Sequence, residues 1–290
     1  MTKKQNNHTQ SLKIPKIIVH ASKVIAFISP KLVTLFAAKL FTTPTKYKVP
    51  KRELKMESKS LQMKLQIPEI QKEIVLYEYG QSERKILLVH GWAGRGTQLF
   101  KIADALLEAN FKTISFDAPA HGKSEGSTAV MMDFIASIKE IDKKYGPFEG
   151  IVGHSLGGMA TLNAIKEGIN VKKGVIIGSG DIISDVINDF IAKLKLKPVI
   201  GHKLRTHFES KYQDNMNNYS ASHAAKNVEI PILVIHCKDD PEVPLTAAQN
   251  INNHLAQGEL LVTEGLGHRK ILGNTHVIKA TVDFLTKQTH

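Results

Sequence analysis

A single cysteine, Cys237, in a chain of 290 residues leaves no partner for an internal disulfide and too few thiols for a cysteine-based zinc cluster. Cys237 closes the apolar run that begins at Ile232, so it reads as a small buried strand residue rather than a nucleophile. One unpaired thiol fits a reducing cytoplasm, and the expected location is cytoplasmic. Long apolar runs are missing as well. Val24 to Ser29 and Leu32 to Ala38 are the longest near the N-terminus, far short of the roughly 18 to 20 residues that cross a bilayer. No Ala-x-Ala cleavage pattern follows them, so neither a spanning helix nor a secretory signal is expected.

Two nucleotide signatures are incomplete. Gly91 to Gly96 has the spacing of a phosphate loop, but Thr97 stands where the lysine belongs; Gly122-Lys123-Ser124 has the lysine, but Asp117 replaces the first glycine. Nucleotide hydrolysis is therefore not expected. Acidic residues are scarce over residues 1–60, which hold 13 Lys or Arg against only Glu53 and Glu57. The rest of the chain carries 26 basic and 25 acidic residues, so the formal charge of +12 belongs to the N-terminal segment. That segment lacks a nucleic-acid-binding module, and nucleic acid is not expected as a partner.

The N-terminal segment instead mixes apolar residues with Lys23, Lys31 and Lys39, and reads as two short helices joined at Ser29-Pro30. Two roles stay open. The helices can pack on the rest of the protein with their lysines snorkelling to solvent, or they can dock peripherally on an anionic membrane.

What is present begins with Gly153-His154-Ser155-Leu156-Gly157. Gly-x-Ser-x-Gly arises by chance in glycine-containing loops, so its context decides. Here an apolar run from Gly150 to Gly153 precedes it and a helical pattern from Gly158 follows it. A serine at the tip of a sharp strand-to-helix turn needs small neighbours, and the helix start aims free N–H groups beside it, as a developing oxyanion requires.

From Leu61 to Ile67 and Glu73 to Tyr79 the chain alternates apolar and polar residues, as antiparallel edge strands do. Lys85 to His90 is continuously apolar, the pattern of a strand buried on both faces. From there strands alternate with helices of about a dozen residues, which predicts a parallel sheet covered on both sides. In such sheets ligands bind beyond the carboxyl ends of the strands. His90, Asp117, Ser155 and Gly178 fall at such ends. Asp117, before Ala118-Pro119, is expected to order its loop rather than to react, and His121 likewise. From residue 181 to 227 the alternation stops in a polar, helix-rich stretch, read as a small lid.

Serine needs a base to become nucleophilic, and the base needs an orienting partner. His268, in a glycine-flanked loop after the last strand, and Asp240, in Asp240-Pro241-Glu242-Val243-Pro244, can fill these roles; Asp239 is the rival acid. The loop His90-Gly91-Trp92 would bring backbone close to a reacting carbonyl, with the Trp92 N–H as one donor.

Four stretches taken together, His90-Gly91-Trp92, Gly153 to Gly158, Asp240 to Pro244 and Gly267-His268, resemble the α/β-hydrolase superfamily from about Leu61 to the C-terminus. The resemblance implies an α/β-hydrolase fold with a mostly parallel central sheet, helices on both faces, a small helical lid and an N-terminal helical extension. It also implies Ser155 as nucleophile, His268 as general base, Asp240 as its partner, and the Trp92 and Leu156 N–H groups as oxyanion hole. Trp92 and Met159 are the candidate substrate-binding side chains. The expected reaction is hydrolysis of a carboxylic ester, or a thioester or amide, through an acyl-enzyme, with a small-molecule acyl substrate and neither metal nor organic cofactor. Ser rather than Asp at the elbow argues against a dehalogenase. The rival reading is a non-catalytic ligand-binding or membrane-associated protein that retains the fold.

Overall fold

Strands rich in apolar residues can bury both faces, and the centre of this protein is built from strands buried on both sides. A computed structural model describes residues 14–287; the first residues of the basic N-terminal segment lie outside the described part. Two helices, α1 (Lys16–Ile28) and α2 (Pro30–Phe41), meet at Ser29, whose side chain caps α2 while Pro30 opens it. Proline at the first helical position loses no intrahelical hydrogen bond, so Ser-Pro ends one helix and starts the next. A connector follows, with one short helix, α3 (Leu54–Lys59).

Eight strands come next: β1 (Leu61–Ile67), β2 (Lys72–Tyr79), β3 (Lys85–Val89), β4 (Lys112–Asp117), β5 (Gly150–His154), β6 (Gly174–Ile177), β7 (Ile232–Cys237) and β8 (Gly258–Thr263). They form one sheet in the order β1-β2-β4-β3-β5-β6-β7-β8. β1 and β2 pair antiparallel, β2 runs antiparallel to β4, and all remaining pairs are parallel. β1 is an edge strand, as its alternation predicts, but β2, read as an edge strand too, is flanked by β1 and β4 because β4 runs antiparallel beside it. β4 also alternates, and its Thr113 and Ser115 are buried in the interior.

Successive side chains of a strand point to opposite faces, and the two cores follow that rule. Leu87, Val89, Ile151, Ile176, Ile232 and Val234 face one core, which α5 (Met131–Tyr145), α6 (Leu156–Lys166) and α10 (Leu245–His254) cover. Ile86, Leu88, Val152, Val175, Leu233 and Ile235 face the other, under α4 (Phe100–Glu108) and α12 (Thr275–Thr286).

Between β6 and β7 the chain leaves the sheet for α7 (Ile183–Lys193), α8 (Pro198–Tyr212) and α9 (Ala221–Ala225). Asp181 fastens the base of this insertion: it is buried, and its Oδ1 accepts from the Ser222 N–H at 2.7 Å while its Oδ2 accepts from the Asn250 side chain of α10.

Two boundaries differ from the sequence reading. α6 starts at Leu156, immediately after the serine, because Ser155 itself absorbs the change of direction with φ 55° and ψ −121°. His268 lies in a short helix, α11 (Gly267–Lys270), rather than in open loop. The N–H groups of Leu266 and Gly267 donate to Cys237 Sγ at 3.4 and 3.1 Å, which draws this turn against the end of β7. Cys237 is a buried strand residue with a second task, holding the backbone just before His268.

Candidate active site

β5 delivers Ser155 to the carboxyl edge of the sheet at a turn that ordinary residues resist. A serine at φ 55° is strained, and close packing holds it there. A Cβ on Gly153 would stand 2.5 Å from the Gly157 carbonyl oxygen, and one on Gly157 would stand 2.5 Å from the Val89 and His90 oxygens. Only glycine at both positions lets α6 start this close to β3 and β5. The Ser155 N–H donates to the Ile177 oxygen at 3.0 Å, tying the turn to β6.

Ser155 Oγ lies 2.9 Å from His268 Nε2, and His268 Nδ1 lies 2.7 Å from Asp240 Oδ2. A carboxylate can only accept, so Nδ1 carries the proton and Nε2 is left to accept from the serine hydroxyl. The other Asp240 oxygen, Oδ1, accepts from the Glu242 and Val243 N–H groups at 2.8 and 3.0 Å. Burial alone would raise the Asp240 carboxyl, but the His268 hydrogen bond and charge, with those two N–H groups, hold it below the usual carboxylate range. Asp239, the rival, faces away; its Oδ2 accepts from the exposed Gly265 N–H at 2.8 Å and orders the loop before α11.

His154 lies behind His268, ring centroids 4.8 Å apart, and its Nε2–H donates to the His268 carbonyl at 3.0 Å. Burial, reinforced by His268, pushes the His154 pKa down to about 3. The ring therefore stays neutral and serves as a fixed backrest.

The loop after β3 approaches the serine from the other side: a Cβ on Gly91 would stand 3.0 Å from Ser155 Cβ. Among the described residues the backbone N–H groups of Trp92 and Leu156 have no hydrogen-bond acceptor, so both are free to donate to a bound oxygen. The loop is held from several directions. His90 Nδ1–H donates to the Gly91 carbonyl at 2.7 Å, and His90 Nε2 accepts from the Ala118 N–H at 3.0 Å. Full burial brings the His90 pKa down to about 4, so the ring stays neutral, and its two partners fix this tautomer. The Gly91 N–H donates to Gln98 Oε1 at 3.1 Å.

Asp117 orders loops rather than facing the serine. Its Oδ1 accepts from the Gly96 N–H at 2.7 Å, and its Oδ2 accepts from the Lys123 N–H at 2.7 Å and the Tyr77 hydroxyl at 2.8 Å. Burial raises its pKa while those donors oppose the rise. His121 sits under the Trp92 ring, centroids 5.1 Å apart and edge-on, and burial lowers its pKa to about 3.

Residues that the sequence did not single out complete the loop's support. Glu53, in the N-terminal connector, is buried; its Oε2 accepts from Thr97 Oγ1 at 2.8 Å and from Arg95 at 3.1 Å. Glu57 pairs with Lys123 at 2.7 Å, and Lys46 donates to the Ser124 carbonyl at 2.7 Å. The connector is thus bolted to both loops at this sheet edge. The signal in the sequence was slight: Glu53 and Glu57 are the only acids in a strongly basic segment.

Of the two candidate substrate-binding side chains, Met159 is buried in the first turns of α6, and its Sδ lies 3.0 Å from where a Cβ on Gly180 would stand; Val186 of α7 flanks the same glycine. Trp92 is half-buried over His121. The start of the helical insertion therefore lies beside Met159.

Such an arrangement can shuttle one proton from a hydroxyl to an imidazole and present two N–H donors beside the oxygen left behind. Among the described residues no cluster of His, Cys, Asp or Glu has the grouping of a metal site.

Residues 85–196 match a family model described as alpha/beta hydrolase fold, and residues 199–290 match one described as TAP-like protein. No curated protein matches the chain. Among solved structures, an esterase from Exiguobacterium antarcticum is similar at 17% identity, with a TM-score of 0.60 over 78% of this chain and 100% of that one. A Pyrococcus furiosus esterase is similar at 18% identity, TM-score 0.62, over 84% of this chain and 96% of that one. A bromoperoxidase from Bacillus anthracis is similar at 16% identity, TM-score 0.60, over 79% and 100%. Identities this low carry the fold and not the reaction.

Proposed function

Because the chain belongs to the α/β-hydrolase superfamily, we propose that it is a serine hydrolase that cleaves a carboxylic ester through an acyl-enzyme. The observation that carries this reading is the continuous hydrogen-bonded chain from Ser155 Oγ through His268 to Asp240, at 2.9 and 2.7 Å, on a strained turn between two free N–H donors.

In this reading Ser155 Oγ attacks the acyl carbon as its proton passes to His268 Nε2, and Asp240 stabilises the imidazolium through Nδ1. The N–H groups of Trp92 and Leu156 receive the carbonyl oxygen as it becomes negative. Collapse of the tetrahedral adduct breaks the bond to the alcohol, which leaves with the proton from Nε2. Water then attacks the acyl-enzyme by the same route, giving up a proton to Nε2, and Ser155 departs with it. The helical insertion over residues 181–227 acts as a lid, and with Met159 and Trp92 it shapes the acyl pocket.

Hydrolysis of p-nitrophenyl esters of increasing acyl length tests the reading. Turnover by the wild type and none by Ser155→Ala is expected, and the length optimum reports the pocket. A wild type that turns over no ester and is not acylated by any would return the protein to the non-catalytic, ligand-binding reading.

A further inference from the structure

α1 and α2 have two unlike faces. The inner face is packed: Ser22, Val33, Thr34, Ala37 and Ala38 are buried, and the Phe41 ring meets Phe190 of α7 and Phe208 of α8 at centroid distances of 5.2 and 5.8 Å. Packing on the domain therefore accounts for one side of the hairpin. The outer side carries Ile17, Val24, Phe27, Ile28, Leu32 and Leu35, half of all the large exposed apolar residues described. Ile17, Val24, Phe27 and Ile28 recur at helical spacing along one side of α1, and those nearest the Ser29-Pro30 elbow are the most exposed together, Phe27 at 94% and Ile28 at 69%, with Leu32 just beyond it. Scattered single exposures are ordinary, but a contiguous apolar patch on one element is not.

Charge decides what covers it. Lys16, Lys23, Lys31 and Lys39 flank the patch, all exposed, and none forms an ion pair among the described residues. No acidic residue precedes Glu53. A second copy seated symmetrically on this face would bring lysines against lysines. A bilayer surface rich in anionic headgroups takes both halves, apolar side chains entering the headgroup boundary and ammonium groups meeting phosphates. Neither helix is long and apolar enough to cross a membrane, which leaves the interface as the place where lipid can hold the hairpin.

We propose that the outer face of the α1–α2 elbow is a docking surface for an anionic membrane, with Phe27 and Ile28 as its inserted tip. Because α2 packs on α8, docking brings the helical insertion close to the lipid surface. The proposal does not depend on the catalytic reading, and loss of ester hydrolysis does not bear on it.

Flotation of the full-length chain with phosphatidylcholine vesicles, with and without phosphatidylglycerol, tests it. The wild type should float with the phosphatidylglycerol vesicles, less so at high salt, and weakly with phosphatidylcholine alone. Phe27→Glu/Ile28→Glu should stay at the bottom of the gradient while melting like the wild type. Lys23→Ala/Lys31→Ala, which disturbs no packing, should partition about 25-fold less, about fivefold per lysine. A wild type that ignores phosphatidylglycerol vesicles, or lysine and elbow variants that float as it does, overturns the proposal. So does a concentration-dependent dimer that Phe27→Glu/Ile28→Glu abolishes in a protein that never floats, since a second copy then covers the face.

Discussion

Glu53 Oε2 accepts a hydrogen bond from Thr97 Oγ1 at 2.8 Å, both residues buried, across 44 residues of chain. A side chain from outside the sheet thereby holds the loop that bears the Trp92 N–H. Arg95 meets the same oxygen at 3.1 Å and is itself buried. Removing one partner of a buried pair strands the other's charge, at about 3 kcal/mol or more.

Glu53→Ala is accordingly expected to lower thermal stability and to cost about 10- to 100-fold in kcat, because small displacements of a positioned donor are expensive. KM for a short ester should move little. Glu53→Gln, which keeps an oxygen for Thr97, should recover part of kcat. Steady-state kinetics on both variants check this; an Ala variant with unchanged kcat removes Glu53 from the account.

Asp240 and Asp239 are adjacent but hold different partners, His268 and the Gly265 N–H. Asp240→Asn should cost on the order of a thousandfold or more in kcat/KM, since the amide no longer fixes the His268 tautomer. Asp239→Asn weakens only an exposed loop hydrogen bond, worth about 1 kcal/mol, and should leave kcat/KM within a small factor. Reversed magnitudes in the two variants would assign the acid to Asp239.

Stability is expected to fall as pH drops below neutrality. Burial holds His90 at about 4 and His121 and His154 at about 3, against an ordinary 6.5. From pH 6.5 down to about 4 the unfolded chain binds protons that the folded one refuses, so lowering pH favours unfolding. Each ring contributes about 2 kcal/mol of this loss between pH 7 and pH 5. Asp240 acts lower on the scale: its depressed pKa adds stability above the ordinary carboxylate value, 3.8, which is lost as pH falls through the folded value. Urea unfolding at pH 7 and pH 5 measures the histidine effect, and a flat profile between them would contradict it.

The order of strands and helices was legible chiefly where a strand is apolar on both faces; Ile86 to Val89 and Ile232 to Ile235 admit no half-exposed reading, whereas β4, interior with Thr113 and Ser115 buried, does not announce its place by composition. Ser155, His268 and Asp240 were legible as a set because topology puts strand ends at one edge, and the structure does bring their side chains within hydrogen-bonding distance. The choice between Asp240 and Asp239 rested on the offset to Val243-Pro244; in the structure Asp240 is the one that meets His268, and the Glu242 and Val243 N–H groups orient its other oxygen. Glu53 was not legible. Its partners lie 42 and 44 residues away, no local period links them, and the basic segment around it reads as surface. Nor did periodicity foretell that Cys237 Sγ would receive the N–H groups leading into His268.

The proposed role of Ser155 is that of a nucleophile activated by His268. Its most direct measurement is labelling of the full-length protein with a fluorophosphonate, followed by mass spectrometry of the peptides. One adduct per chain is expected, on Ser155, with labelling abolished in Ser155→Ala and slowed on the order of a thousandfold or more in His268→Ala. Full labelling of Ser155→Ala, or a folded wild type that the reagent leaves untouched, would contradict it.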